Sequence, residues 1–109
     1  MRTLRFIVNG QIVTPDPNCD FSNLVPGTER SVIAEFIFTT EWKEHIKVAA
    51  FYSMLGYEYP PQILDINNRC IIPSEALGRR RFKIRVVGKK GMSKLATDKI
   101  TISQTGGKV

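Results

Sequence analysis

Arg81-Phe82-Lys83-Ile84-Arg85-Val86-Val87 alternates cation and apolar side chain. A strand has a side-chain period of two, so Phe82, Ile84 and Val86 share one face and Arg81, Lys83 and Arg85 the other. One greasy face needs a second layer to cover it. Downstream, Gly88-Lys89-Lys90-Gly91 reads as a hairpin tip, and residues 95–103 return with Ile100 and Ile102 inward. Upstream, Pro73-Ser74-Glu75-Ala76-Leu77-Gly78 reads as one helical turn closed by glycine.

The same reading extends toward the N-terminus. Residues 62–66 and 69–72 are short strands joined by an Asn67-Asn68 turn, and residues 56–61 are a turn because Pro60-Pro61 offers no ladder donors. Residues 46–55 form a strand with Ile46, Val48, Ala50 and Tyr52 on one side and Ala49, Phe51 and Ser53 on the other. A helix over 42–55 is the alternative, since Trp42, Ile46, Ala49 and Ala50 also fit a helical stripe; aromatic content and brevity favour the strand. Thr39 to Glu44 form a corner after a strand over 31–38, whose Val32, Ala34, Phe36 and Phe38 share a face. Residues 15–30 are a loop broken by Pro15, Pro17, Pro26 and Gly27 and pinned by Phe21, Leu24 and Val25. Asn9-Gly10 supplies a type I′ turn between strands at 3–8 and 11–14. Seven or eight short strands at this spacing predict an all-β antiparallel β-sandwich of Ig-like or Greek-key type, or a small barrel. The expectation is a single domain over 1–109, with a fraying tail at about 104–109.

Composition fits that reading. Of 109 residues, 42% are hydrophobic and 24% charged, values of a globular chain rather than a disordered one. No apolar run reaches the roughly 18 residues of a membrane helix, and none near Met1 has signal-peptide length, so cytoplasmic synthesis and no membrane partner are expected. Cys19 and Cys70 are too few for a disulfide framework and lack a second thiol at metal spacing, so both are expected to be reduced and structural.

The residues offer little for catalysis. His45 is the one histidine, and a hydrolase triad needs a histidine between nucleophile and acid. The ten carboxylates show no paired spacing of the glycosidase kind. Gly88-Lys89-Lys90-Gly91 joins two strands and opens no helix, so it is not a phosphate loop. No enzyme activity, metal or cofactor is expected.

Charge is uneven. Residues 70–109 carry ten Lys/Arg against Glu75 and Asp98, a net +8; residues 1–69 carry six against eight, a net −2. Arg81, Lys83 and Arg85 form a row spaced about 7 Å apart. Arg79, Arg80, Lys89 and Lys90 extend it, giving a candidate basic face for an anionic partner. Nucleic acid is one such partner, although Phe36, Phe38 and Phe82 fall on core faces and leave no stacking platform. Trp42, Tyr52, Tyr57 and Tyr59 could stack on sugars or anchor a protein interface; packing over the sandwich end is the favoured reading.

Several separated pieces carry a resemblance. They are Phe36-Ile37-Phe38-Thr39-Thr40-Glu41-Trp42, Lys47-Val48-Ala49-Ala50-Phe51, Cys70-Ile71-Ile72-Pro73-Ser74-Glu75-Ala76-Leu77, Phe82-Lys83-Ile84-Arg85-Val86-Val87-Gly88 and residues 97–102. Their order, over residues 32–102, resembles the small β-sandwich domains of tail-tip and baseplate proteins of tailed siphophages of Gram-positive hosts. It is similar to the N-terminal domains of receptor-binding and upper baseplate proteins. The resemblance implies a non-enzymatic structural or adhesion subunit of the virion tail. The implied partners are other bacteriophage tail and baseplate proteins, further copies of itself as a homo-oligomer, and a host cell-surface polymer. Trp42 would end one strand, the Cys70–Pro73 segment another, and Gly88 would begin the last hairpin; these positions are structural. Large baseplate proteins continue into a shaft or head that this sequence lacks, so an accessory subunit is expected. The alternative is a nucleic-acid-binding module using residues 79–90.

Overall fold

In the computed structural model, residues 2–22, 24, 26 and 32–104 are described. The strands are β1 (Arg2–Asn9), β2 (Ile12–Pro15), β3 (Val32–Phe38), β4 (Ile46–Tyr52), β5 (Gln62–Ile63), β6 (Arg69–Ile71), β7 (Arg81–Lys90), β8 (Ser93–Ala96) and β9 (Ile100–Ser103). A 3-10 turn spans Thr40–Trp42, and one helical turn, α1, spans Ser74–Leu77. One sheet has the order β2-β1-β3-β6; in the other, β5-β4-β7 continues into β8 and β9, both on β7. The protein is an all-β sandwich.

Leu4, Phe6 and Val8 of β1, Ala34 and Phe36 of β3, Ala49 and Phe51 of β4, and Phe82, Ile84 and Val86 of β7 are all buried in one cluster between the sheets. The alternation that predicts each strand thus meets its partner alternation across the layer. Within it, rings line up along the four-stranded sheet. Phe6 stacks on Phe36 at 5.3 Å, Phe36 on Phe38 at 6.0 Å, and Phe38 meets Trp42 at 5.2 Å. Phe21 joins edge-on to Phe6 at 5.5 Å.

The sandwich is not wholly antiparallel. β1 and β3 pair in parallel, with Leu4 opposite Ala34 and Phe6 opposite Phe36. β2 runs back from β1, and the chain then crosses β1 to enter on its far side in the same direction. Parallel neighbours need such a crossover, and residues 16–31 supply it. Leu24 of this loop is buried; Val25, residues 27–30 and Ser31, which the sequence reading assigns to loop and strand, lie outside the described residues.

Three turns differ from the expected ones. Asn9 pairs with Ile12, so the first hairpin turns at Gly10-Gln11, and only Gly10 takes positive φ (+61°). The Trp42 indole donates to the Gly10 carbonyl at 2.7 Å, which fixes the turn one residue later than Asn9-Gly10. Lys90 pairs with Ser93, so β7 runs through Gly88, Lys89 and Lys90, and the tip is Gly91-Met92. The expected return over 95–103 is two strands, because Thr97 leaves the ladder. Its Oγ1 accepts from the Val86 N–H at 3.0 Å, and its own N–H donates to the Val86 carbonyl at 2.9 Å. The strands at 46–55 and 62–66 are also shorter than expected, ending at Tyr52 and Ile63.

Gly88 lies flat against Trp42, which is fully buried. A Cβ on residue 88 would sit 2.8 Å from Trp42 Cζ3 and 3.2 Å from His45 Cβ. Gly88→Ala is therefore expected to destabilise the fold by about 1–3 kcal/mol, the usual range for overpacking. Urea unfolding checks this; a midpoint unchanged from wild type would show that the indole yields freely.

Candidate functional site

β7 presents its basic residues as the register dictates. Arg81, Lys83, Arg85 and Lys89 face away from the core, opposite Ser103, Tyr52, Ala50 and Ile46 of the neighbouring strands. Lys83 and Arg85 are half-buried by those neighbours, whereas Arg81 and Lys89 are exposed. Lys90 has the opposite parity and forms an ion pair with Glu44 at 3.0 Å. The hydrogen bond and charge of Lys90 hold the Glu44 carboxyl below its ordinary range. Arg79 and Arg80 are not on the strand; they lie in the link between α1 and β7. The seven cations predicted as one face are thus divided among a sheet row, an ion pair and a sheet end.

The row is not purely basic. Ile46 and Ile63 share its face and are 68% and 71% exposed. Tyr52 also points outward, beside Lys83, with Lys99 Nζ 4.0 Å from its ring centre. Phe36 and Phe82 are core residues as expected, but Tyr52 is an aromatic on the basic side. Its period-two phase with Ile46 signals this in the sequence. Arg85 Nε is shielded from solvent without a hydrogen-bond partner among the described residues.

At the end of the sandwich, Arg79, Arg80 and Arg81 form one wall of a groove of about 600 Å³; Met54, Leu55 and Tyr57 line it as well. An adjoining cavity of about 810 Å³ is lined by Tyr57, Tyr59, Pro60, Glu75 and Arg79. Arg79, Arg80, Arg81 and Tyr57 are exposed, while Tyr59 is buried. Gln104 holds the basic wall in place. Its Nε2 donates to the Leu77 carbonyl at 3.0 Å and to the Arg79 carbonyl at 2.6 Å, and its backbone N–H donates to the Arg80 carbonyl at 2.7 Å. Gln104, expected to open a fraying tail, is 2% exposed; residues 105–109 lie outside the described residues.

The outer face of the four-stranded sheet carries an ion ladder across three strands. Glu35 on β3 accepts from Arg5 Nε on β1 at 3.2 Å and from Arg69 Nε on β6 at 3.3 Å. Hydrogen bonding and attraction to Glu35 raise the Arg5 pKa further, with a smaller push from Asp16. Ile12, Ile37 and Ile71 stand exposed around the ladder.

His45 Nε2 lies 3.4 Å from Ser93 Oγ, and its Nδ1 faces the Lys43 carbonyl at 3.2 Å. The group behind the imidazole is a peptide carbonyl rather than a carboxylate, and neither His45 nor Ser93 lines any of the main cavities. Among the described residues no three His, Cys, Asp or Glu side chains cluster as a metal site. Among the described residues no helix is long and apolar enough to cross a membrane. Comparison with protein-family models, curated proteins and solved structures finds no match to this chain.

Both cysteines are free. Cys70 is buried against the core, and burial, with a smaller contribution from the Asp65 carboxylate, pushes its thiol up to about 12. The thiolate is the reactive form, so Cys70 is expected to resist a disulfide reagent at pH 8 until the protein unfolds. Cys19, half-buried, is expected to react first. Thiol counting on Cys19→Ser checks this: rapid labelling of folded Cys19→Ser would contradict it. Gln104→Leu leaves the Leu77 and Arg79 carbonyls without their donor and is expected to lower stability by about 1–3 kcal/mol. Urea unfolding with the wild-type midpoint would place Gln104 outside the framework.

Proposed function

We propose that this protein is a non-enzymatic structural or adhesion subunit of a bacteriophage tail tip or baseplate, working through protein–protein contacts. The observation that carries the reading is that both sheets leave isoleucines on their outer faces. Ile37 and Ile71 on one are 50% and 53% exposed, and Ile46 and Ile63 on the other are 68% and 71% exposed. A sheet normally alternates apolar-in and polar-out, and exposed apolar side chains on both outer faces give protein partners apolar contacts to cover. The serial resemblance over residues 32–102 supplies the tail assignment, and a sandwich with two usable faces suits a subunit stacked between neighbours. Further copies of the chain, other tail proteins and a host surface polymer are the proposed partners, and the virion tail is the proposed location.

A second reading has its own observation. Arg81, Lys83, Arg85 and Lys89 share a face with Tyr52, and cations beside an aromatic ring suit a nucleic-acid strand. That reading predicts a mobility shift with DNA or RNA that weakens steeply as salt rises and is lost in Arg81→Glu/Lys83→Glu/Arg85→Glu.

The tail reading predicts that the chain co-sediments with purified phage particles. It also predicts that the chain self-associates or binds other tail proteins in light scattering and pull-down, and that Ile37→Lys/Ile71→Lys or Ile46→Lys/Ile63→Lys weakens that association at least tenfold. A chain that is monomeric and absent from particles would overturn it.

A further inference from the structure

We propose that the groove between Leu55 and Arg80 binds an acidic peptide segment of a protein partner, one that carries an apolar anchor side chain. This rests on the reading of the chain as a protein-contact domain and names the chemistry of one contact.

The groove has two unlike walls. One is basic: Arg79, Arg80 and Arg81 are consecutive, exposed, and none is ion-paired to a described carboxylate. Guanidinium groups match carboxylates in planar, two-point fashion, so this wall selects acidic side chains. The other wall is apolar. Met54 is 42% exposed, Leu55 98% and Tyr57 71%. Tyrosine, methionine and arginine together are the mixture enriched at the centres of protein interfaces.

The apolar wall is built to stand out. The Ser53 N–H donates to the Tyr57 carbonyl at 2.8 Å, and Ser53 Oγ accepts from the N–H groups of Leu55 at 3.2 Å and Tyr57 at 3.0 Å. Gly56 takes φ +92°, a region that side-chain-bearing residues rarely adopt. The Tyr59 N–H returns the chain to the Phe51 carbonyl at 2.8 Å. Leu55 is therefore presented by a hydrogen-bonded turn. The opposite wall hangs from Gln104, so the backbone on both sides is held before a ligand arrives, and only the side chains need ordering.

The surroundings narrow the ligand. Glu58 and Glu75 line the adjoining cavity beyond Tyr57 and Tyr59, not this groove. That cavity sets two carboxylates against Arg79, whereas this groove holds three arginines and no carboxylate, so acidic groups on a ligand are drawn to the groove. A nucleic-acid strand would ask for successive ring faces along its path. In this groove Tyr57 is the one exposed ring, packed edge-on to Tyr59 at 6.0 Å, and no second exposed ring follows it. An inserted leucine or methionine, with carboxylates on either side, satisfies both walls.

A fluorescein-labelled dodecapeptide of alternating Leu and Glu, titrated by anisotropy at 0.1 M salt, tests the proposal. Saturable binding is expected, weakened at least tenfold by Arg79→Glu/Arg80→Glu and at least fivefold by Leu55→Ser/Tyr57→Ser. Lys83→Glu/Lys89→Glu, on the sheet face, is expected to change it less than twofold. All substituted residues except Lys83 are exposed, and circular dichroism confirms that each variant is folded. No binding, equal binding of an all-Glu dodecapeptide, or tighter binding of a dodecathymidylate would each overturn the proposal. Sedimentation with phage particles separates it from the tail assignment. A wild-type chain that sediments but binds no peptide removes the groove and leaves the tail role. A monomeric chain that binds the peptide through these residues but is absent from particles does the reverse.

Discussion

The indole of Trp42 lies where three segments distant in sequence meet. Its N–H donates to the Gly10 carbonyl in the turn of the first hairpin, its ring packs beside Phe38 at the end of β3, and Gly88 of β7 presses on its benzene edge. The four-stranded sheet and the five-stranded one thus both press on this one side chain, at the end of the core they share. A buried indole with its polar atom satisfied stabilises strongly; truncating such a residue to alanine costs on the order of 3–5 kcal/mol. The contact is also exclusive. Gly88 must lack a Cβ for the ring to lie there, and the first hairpin must offer a carbonyl at Gly10. The tryptophan thus explains the glycine at 88, while Gly10 is required by its own positive φ of +61°. The ring row Phe38, Phe36, Phe6 and Phe21 carries the same packing along the sheet.

A sandwich has open sides, and unpaired edges invite unwanted pairing. Here both sides are stitched. On one, Asp98 Oδ1 accepts from the Val13 N–H at 3.2 Å, and the Asp98 N–H donates to the Gln11 carbonyl at 3.1 Å, so the β8–β9 break reaches across to β2. On the other, the chain leaves β5 and enters β6 through a turn in which Asp65 Oδ1 accepts from the N–H groups of Asn67 and Arg69, with Asn68 at φ +60°. The sequence Asp65-Ile66-Asn67-Asn68 thus moves the chain from one sheet to the other. The Thr97 departure from the ladder, an irregularity on the sheet, is what places Asp98 within reach of β2.

Much of this was legible in the residues and some was not, for identifiable reasons. Alternation at Phe82, Ile84 and Val86 is a local pattern with a single physical meaning, so strand and face follow directly. The helical turn at Ser74–Leu77 and the turn at Asn67-Asn68 are likewise set by neighbours in sequence. The parallel match of β1 with β3 is not, because it depends on where a long crossover returns. The shift of the first turn to Gly10-Gln11 depends on Trp42, some thirty positions away. Thr97 and Gln104 are polar residues in polar stretches, and nothing local separates a threonine that bonds Val86 or a glutamine that holds Arg79 from a solvated one. The basic residues of 79–90 were visible as a group, but their division followed from parity at Lys90 and from the link after α1, which tertiary pairing decides.

The illegible contacts are also those that position the candidate site. Gln104 closes β9 onto the backbone of Arg79 and Arg80, so the cations at the sandwich end are tied to the last strand of the core sheet. Ser53 and Gly56 similarly fix the opposing turn to β4, and β4 and β9 flank the first half of β7 on its two sides. Both walls of the groove are therefore attached to one strand through its two flanks. The wall residues sit on short connections, but those connections are anchored to neighbouring strands, whose spacing varies little. A site held in that manner keeps its shape without a ligand. Selectivity then comes from the pairing of charge on one wall with apolar surface on the other.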